Sequence, residues 1–339
     1  MPVEKRPYPR TPDWPALLAI LILTGVTGAL FFKAHIILGH DWLSYFSLQP
    51  NGFIPLRPNP SYPPWILGVA LLPLRVLPAF LGLALLNGLT LSSLSVLTYR
   101  YARYAFPDNR LPALAALVLV LFNPLPWMML WLGQVDALVL VGLVLLPFGV
   151  PLLLGKPNTG AWAVLNSRRD IFWSIGFGIL SLLLWGLWPL DMLHMASPDI
   201  YKHPIVMGWG AIHPLLGVLG IGLLLFTDRD LLRLIAAGSF ISPYMMPYHY
   251  FVLLPAIGRV SGWKQLVLWI TSLLMPAVAA FATLEIKLMA QLFPLAVWVL
   301  LTPSLRPKYI LADPDTLLNR ALKQARAIWN TRQTAIQAE

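Results

Sequence analysis

Pro15-Ala16-Leu17-Leu18-Ala19-Ile20-Leu21-Ile22-Leu23-Thr24-Gly25-Val26-Thr27-Gly28-Ala29-Leu30-Phe31-Phe32, running on to Leu38, decides the class of this chain. No charge interrupts it before Lys33. Crossing a bilayer takes roughly 20 apolar residues in a helix. The stretch follows Lys5, Arg6 and Arg10, exceeds the core of a signal peptide and carries no small-residue cleavage site. It therefore reads as a retained first membrane helix. Further apolar stretches recur at about 79–99, 111–124, 134–154, 171–190, 212–227, 231–246, 248–262, 265–285 and 288–303. The 339 residues are 58% hydrophobic and 11% charged, with a mean hydropathy of +0.71. A soluble domain is roughly 25% charged. The expectation is an all-α polytopic membrane protein of about ten transmembrane helices.

Charge sets the expected orientation. Of 24 Lys and Arg, 19 fall in the N-terminus, the tail and alternate loops, Lys156, Arg168 and Arg320 among them. The exceptions are Lys33, Arg57, Arg75, Lys202 and Lys287. By the positive-inside rule both termini are cytoplasmic. The formal charge of +10 follows from that bias and does not call for nucleic acid. The organisation is then a cytoplasmic N-terminus (1–14), a transmembrane domain (15–304) and a cytoplasmic basic tail (305–339). The domain carries long outer loops at 39–64 and 191–211. Trp65–Pro78, broken by Pro73, Arg75 and Pro78, is too short to cross and is expected as an interfacial or re-entrant piece. In the tail, Asp313 and Pro314 mark a helix start. Leu318, Leu322, Ala325, Trp329 and Ile336 share one face, with Arg320, Lys323 and Arg326 opposite and Arg332 interrupting the apolar side. Such a helix suits the anionic lipids of an inner leaflet.

The outer loops hold the titratable groups. Asp41 lies in Gly39-His40-Asp41-Trp42-Leu43-Ser44-Tyr45-Phe46, directly after the first crossing. A carboxylate there can take a proton from a hydroxyl, bind a cation, or cap the next short helix. Tyr62 in Ser61-Tyr62-Pro63-Pro64-Trp65 is held extended by the prolines, which either aim it at a site or simply end the loop. Gln134 and Asp136 open the fourth apolar stretch; sugar binding and capping both fit, capping better for Asp136. His249 lies between Tyr248 and Tyr250, where an aromatic belt accounts for the tyrosines but not for the histidine. Arg57, Lys202 and His203 are outer-loop cations able to hold a phosphate. With no cysteine, disulfides and thiolate metal sites are excluded. There is no internal repeat, P-loop, dinucleotide-binding glycine pattern or His-Glu-x-x-His, and neither a cofactor nor a metal is expected.

Taken in order, these pieces resemble glycosyltransferase family 87, membrane enzymes of the GT-C superfamily. The opening match is Asp41, Tyr45, Gly52, Tyr62-Pro63-Pro64, Leu72-Pro73-Leu74 through Leu77-Pro78, and Leu86-Asn87. Gly133-Gln134-Val135-Asp136-Ala137-Leu138, Lys156-Pro157-Asn158 and Ser242-Pro243 through His249-Tyr250 continue it to about Pro255. The chain departs from the family's pattern in the short interval between Gln134 and Lys156 and in Tyr248-His249 where the family pairs two histidines. The resemblance implies a GT-C-like fold and transfer of mannose or another hexose from a polyprenyl phosphate to a lipid or glycan acceptor. It implies an inverting mechanism with Asp41 as base, His249 and Gln134 lining the same outer cavity, and a multi-pass protein of a bacterial plasma membrane. His40, Tyr45, Arg57, Tyr62, Lys202 and His203 complete the expected substrate-binding set. A non-catalytic subunit or lipid-binding scaffold of the same fold is the alternative. A flippase or transporter fits least, because no half-to-half symmetry is visible.

Overall fold

A computed structural model describes residues 12–36, 38–46, 62–190, 203–302 and 314–338. Among these the chain is all-helical. The helices are α1 (Trp14–Lys33), α2 (Ala79–Ala105), α3 (Leu111–Leu121), α4 (Pro124–Leu132), α5 (Ala137–Val144), α6 (Val150–Leu154) and α7 (Arg168–Trp185). They continue with α8 (Leu215–Leu225), α9 (Leu231–Ile241), α10 (Trp263–Ser272), α11 (Leu274–Phe281), α12 (Leu284–Ala290), α13 (Leu292–Leu301) and α14 (Leu317–Ala338).

Four helical stretches are long and apolar enough to cross a membrane: Trp14–Lys33, Ala79–Ala105, Trp263–Phe281 and Leu284–Leu301. Leu111–Leu121 and Pro124–Leu132 make a fifth if they are one span, bent by 46°. The bend has a local cause. Asn123 ends one helix and caps the next, its side chain accepting the Leu125 N–H at 2.9 Å, and Pro124 follows. Leu18, Leu21, Ile22 and Leu30 of α1 and Ile175, Ile179 and Leu183 of α7 are exposed. Apolar side chains facing outward in belts of this kind fit hydrocarbon rather than water.

α2 is the central helix, with α1 packed along it and the 3-10 helix Pro247–Arg259 also packed against it. Asp13 caps α1, accepting the Ala16 N–H at 3.1 Å, and pairs with Arg100 near the end of α2. The two helices therefore run antiparallel. Arg259–Asp230 (2.7 Å) and Arg233–Asp228 (2.9 Å) are further ion pairs of partly buried residues.

The expected count of about ten crossings exceeds these four or five, and the stretch 134–154 shows one reason. The stretch 134–154 folds into two short helices, α5 and α6, and returns to its start. Lys156 Nζ lies 3.5 Å from Gln134 Oε1, so the two ends of the stretch are neighbours. The turn between them reaches toward the Asp13 end, where the Asp13 N–H donates to Val144 O at 3.0 Å. The legs approach through glycines: a Cβ on Gly149 would stand 2.0 Å from Gly142 O. Lys156 thus sits at the Asp41 end, beside Gln134.

The tail differs in its start. Its helix begins at Leu317, and Thr316 serves its first turn, accepting the Asn319 N–H at 3.2 Å. Asp313 lies outside the described residues, as do Arg57 and Lys202. Trp65–Pro78 forms two short helical pieces, Ile66–Ala70 and Leu72–Arg75, neither long enough to cross.

Another tight backbone approach joins the segment before Asp41 to the end of α4. Gly133 has φ +69° and Gly39 has φ +150°. A Cβ on Gly133 would stand 2.8 Å from Gly39 Cα and 2.9 Å from Trp42 Cβ. Gly133→Ala is therefore expected to destabilise the fold by roughly 1–3 kcal/mol through the left-handed backbone conformation alone, with the contact adding to that. Gly68→Ala, with nothing within 4 Å of its Cβ, should be tolerated. Thermal unfolding of both variants in detergent checks this.

Candidate functional site

Asp41 is positioned by backbone contacts on three sides. The Trp42 indole N–H donates to Ala79 O at 2.9 Å, at the start of α2. Asn87 Nδ2 donates to Leu38 O at 3.1 Å. Arg75, buried, gives Nε to Phe46 O and Nη1 to Leu67 O, each at 2.6 Å. Arg75 is thus a staple between two turns rather than a free outer cation. The fourth constraint is the glycine contact with Gly133.

Gly133 also ends α4 in a Schellman arrangement. Its N–H reaches Leu130 O (3.1 Å) and the Gln134 N–H reaches Met129 O (3.3 Å). That turn delivers Gln134 to Asp41. Gln134 Nε2 donates to Asp41 Oδ2, and Gln134 Oε1 accepts the Tyr62 hydroxyl at 2.9 Å and faces Lys156 Nζ at 3.5 Å. Donors on its oxygen and an acceptor on its nitrogen fix the amide's orientation. Burial pushes the Tyr62 phenol well above its ordinary pKa, with the carboxylates of Asp136 and Asp41 adding to the effect. The phenol therefore stays protonated and keeps donating.

Lys156 is the hub. It is buried, as is Asp136, whose Oδ2 lies 3.1 Å from Nζ. Asp136 was expected to cap its helix. It makes no cap hydrogen bond and serves instead as the lysine's counter-ion. The second oxygen, Oδ1, has no hydrogen-bond partner among the described residues. The Tyr62 ring centroid lies 4.8 Å from Nζ and that of Tyr248 5.8 Å. These cation–π contacts help hold an ammonium away from water.

His249 closes the group. Its Nδ1 accepts the Met246 N–H at 3.2 Å and lies 2.8 Å from Asn158 Nδ2. A backbone N–H has no alternative role, so Nδ1 is the acceptor and the neutral ring carries its proton on Nε2. Nε2 faces Lys156 Nζ at 3.4 Å. The imidazole N–H and the ammonium are both donors, 3.4 Å apart. That pairing suits an anion. Ser242 Oγ donates to Asn158 O at 2.7 Å, which ties the loop before His249 to the Lys156 turn.

Asp41, Tyr62, Gln134 and His249 thus come together from four separate parts of the sequence. Asp41 keeps 22% side-chain exposure and His40, 3.1 Å from Asp41 Oδ1, keeps 66%, so the cluster opens to its surroundings on the Asp41 side. His203 is exposed and makes no polar contact with the cluster, although its segment is held to the His249 loop by Met207 N–H to Met245 O (2.7 Å). The Tyr45 side chain, Arg57 and Lys202 lie outside the described residues. Lys156, Asn158 and Asp136 were not among the expected site residues. The motif Lys156-Pro157-Asn158 was the available signal for the first two. Among the described residues no three of His, Asp and Glu gather closely enough to hold a metal ion. No protein-family model, curated protein or solved structure matches this chain.

The buried pair gives a direct test. Lys156→Met strands Asp136 and is expected to cost about 3–5 kcal/mol, because a buried charge loses its partner. Adding Asp136→Asn should recover most of that loss. Thermal unfolding of the single and double variants in detergent decides it.

Proposed function

We propose that this protein is a membrane glycosyltransferase that moves a hexose from a polyprenyl phosphate to a hydroxyl of a lipid or glycan at the outer face of a bacterial plasma membrane. The observation that carries this reading is the convergence of a partly exposed carboxylate, Asp41, with a two-donor anion site, Lys156 and His249, through one oriented amide, Gln134. Both termini are cytoplasmic in this reading, in line with the cation bias of the loops.

In this reading Asp41 takes the proton of the acceptor hydroxyl as its oxygen bonds to the anomeric carbon. The bond from that carbon to the phosphate oxygen breaks, and the electron pair leaves with polyprenyl phosphate. Attack opposite the leaving group inverts the anomeric centre. The leaving phosphate gains negative charge as the bond breaks, and donors aimed at that charge lower the barrier. Lys156 Nζ is placed for this, while His249 Nε2 holds the phosphate of the bound donor in ground state and transition state alike. Gln134 and Tyr62 keep the Asp41 carboxylate pointed at the acceptor.

One observation favours the scaffold alternative. Gln134, Lys156 and His249 are each under 9% exposed and already hydrogen-bonded or paired with one another. A structural polar network has that character too.

Activity separates the two. Purified protein is incubated with labelled polyprenyl-phosphate hexoses and membrane lipids. Asp41→Asn is expected to lower turnover by roughly 10²–10⁴-fold with donor affinity little changed. His249→Ala should mainly raise KM for the donor. Full activity in Asp41→Asn would refute its role as base. If the unaltered protein transfers nothing across a broad donor and acceptor panel and binds polyprenyl phosphate poorly, the scaffold reading stands instead.

A further inference from the structure

α14 is attached to the rest of the protein through its first turn. Its Leu317 N–H donates to Thr227 O at 3.0 Å, and Arg320 Nη2 reaches Leu165 O at 3.4 Å. Arg229 pairs with Asp315 at 3.6 Å just before the helix. Thr227 is itself held by the Trp298 indole N–H at 2.7 Å. Every side chain described from Ala321 onward is exposed, on all faces, including Leu322 (46%) and Trp329 (63%).

The point of attachment sets where the helix runs. Thr227 lies two residues after α8, whose Leu215, Val218, Ile221 and Leu225 are exposed. An outward apolar row of this kind marks the part of the surface that meets hydrocarbon. The tail therefore starts at the edge of the apolar belt. At 100° per residue, Leu318, Leu322, Ala325 and Trp329 fall on one side of α14, while Lys323 and Arg326 fall on a flank. Arg320 is taken up by its contact with Leu165.

We propose that α14 docks on an anionic bilayer, its Leu322–Trp329 face in the acyl boundary and Lys323 and Arg326 on lipid phosphates. The occupant is a bilayer rather than a protein groove because the apolar face begins where the lipid-facing row of α8 ends, and because its charges are cationic. The first turn, pinned to Thr227 and Leu165, makes the docking intramolecular in effect and holds the helix at the surface.

The chain has no cysteine, so one introduced cysteine labels one site. Full-length Ala325→Cys and Ala327→Cys, on opposite sides of α14, are labelled with a solvent-sensitive fluorophore. Each is placed in nanodiscs of phosphatidylcholine, with or without phosphatidylglycerol, at one protein per disc. With phosphatidylglycerol present, the label at 325 should be shielded from acrylamide while the label at 327 stays open. Adding Lys323→Gln and Arg326→Gln should lower the docked-to-free ratio roughly 25-fold, about fivefold per charge. Equal quenching at 325 and 327 with phosphatidylglycerol overturns the proposal. So does shielding at 325 that ignores both phosphatidylglycerol and the two charge changes. Shielding seen only when two copies share a disc assigns the face to a second copy of this chain and overturns it as well.

Discussion

A lysine ammonium out of contact with water is the constraint on which the site depends. A buried charge is stable only with a counter-ion and with partners for its remaining donors. Lys156 has Asp136 at 3.1 Å, Gln134 Oε1 at 3.5 Å and two tyrosine rings beside it. Those partners belong to three separate parts of the chain. Holding them around one atom requires the stretch from Gln134 to Lys156 to fold back on itself, and requires Tyr62 and the Tyr248–His249 turn to close over it. Asp41 is joined to the same group through the Gln134 amide, and the contact of Gly39 with Gly133 makes that junction sterically feasible.

The all-helical membrane class and the first spans were legible in the sequence. The number of spans was not, since four or five stretches among the described residues are long and apolar enough where about ten were expected. The spans at 15–38 and 79–99 correspond to α1 and α2, because each is a long apolar run with polar ends and a cap or a proline at its start. The stretch at 134–154 was misread because apolar length alone does not separate one crossing from a short hairpin. Gly142, Pro147, Gly149 and Pro151 were the signs of a break. The cation bias then set Lys156 apart from Gln134, its neighbour in the structure, since a counting rule treats a buried lysine like any loop lysine. The motif Lys156-Pro157-Asn158 said nothing of which side the lysine takes; the structure sets it beside Gln134.

The site was partly legible for a related reason. Asp41, Tyr62, Gln134 and His249 stand out in sequence because each is a polar residue beside an apolar run. Asp136 stood out too, but its position at a helix start suggested capping, and only the fold reveals a lysine within reach. His203 looked equivalent to His249 as a loop histidine. The difference between them is burial, and burial depends on packing between elements far apart in sequence.

The central claim is that the stretch from Gln134 to Lys156 returns to the side of the membrane on which Asp41 lies. Single cysteines at the exposed positions His40, Pro157 and Arg168, introduced into the cysteine-free chain, test it in sealed, uniformly oriented vesicles. A membrane-impermeant maleimide should label His40→Cys and Pro157→Cys from one face and Arg168→Cys from the other. Labelling of Pro157→Cys from the face opposite His40→Cys would contradict the account, because Lys156 would then be separated from Gln134 and His249 by the membrane.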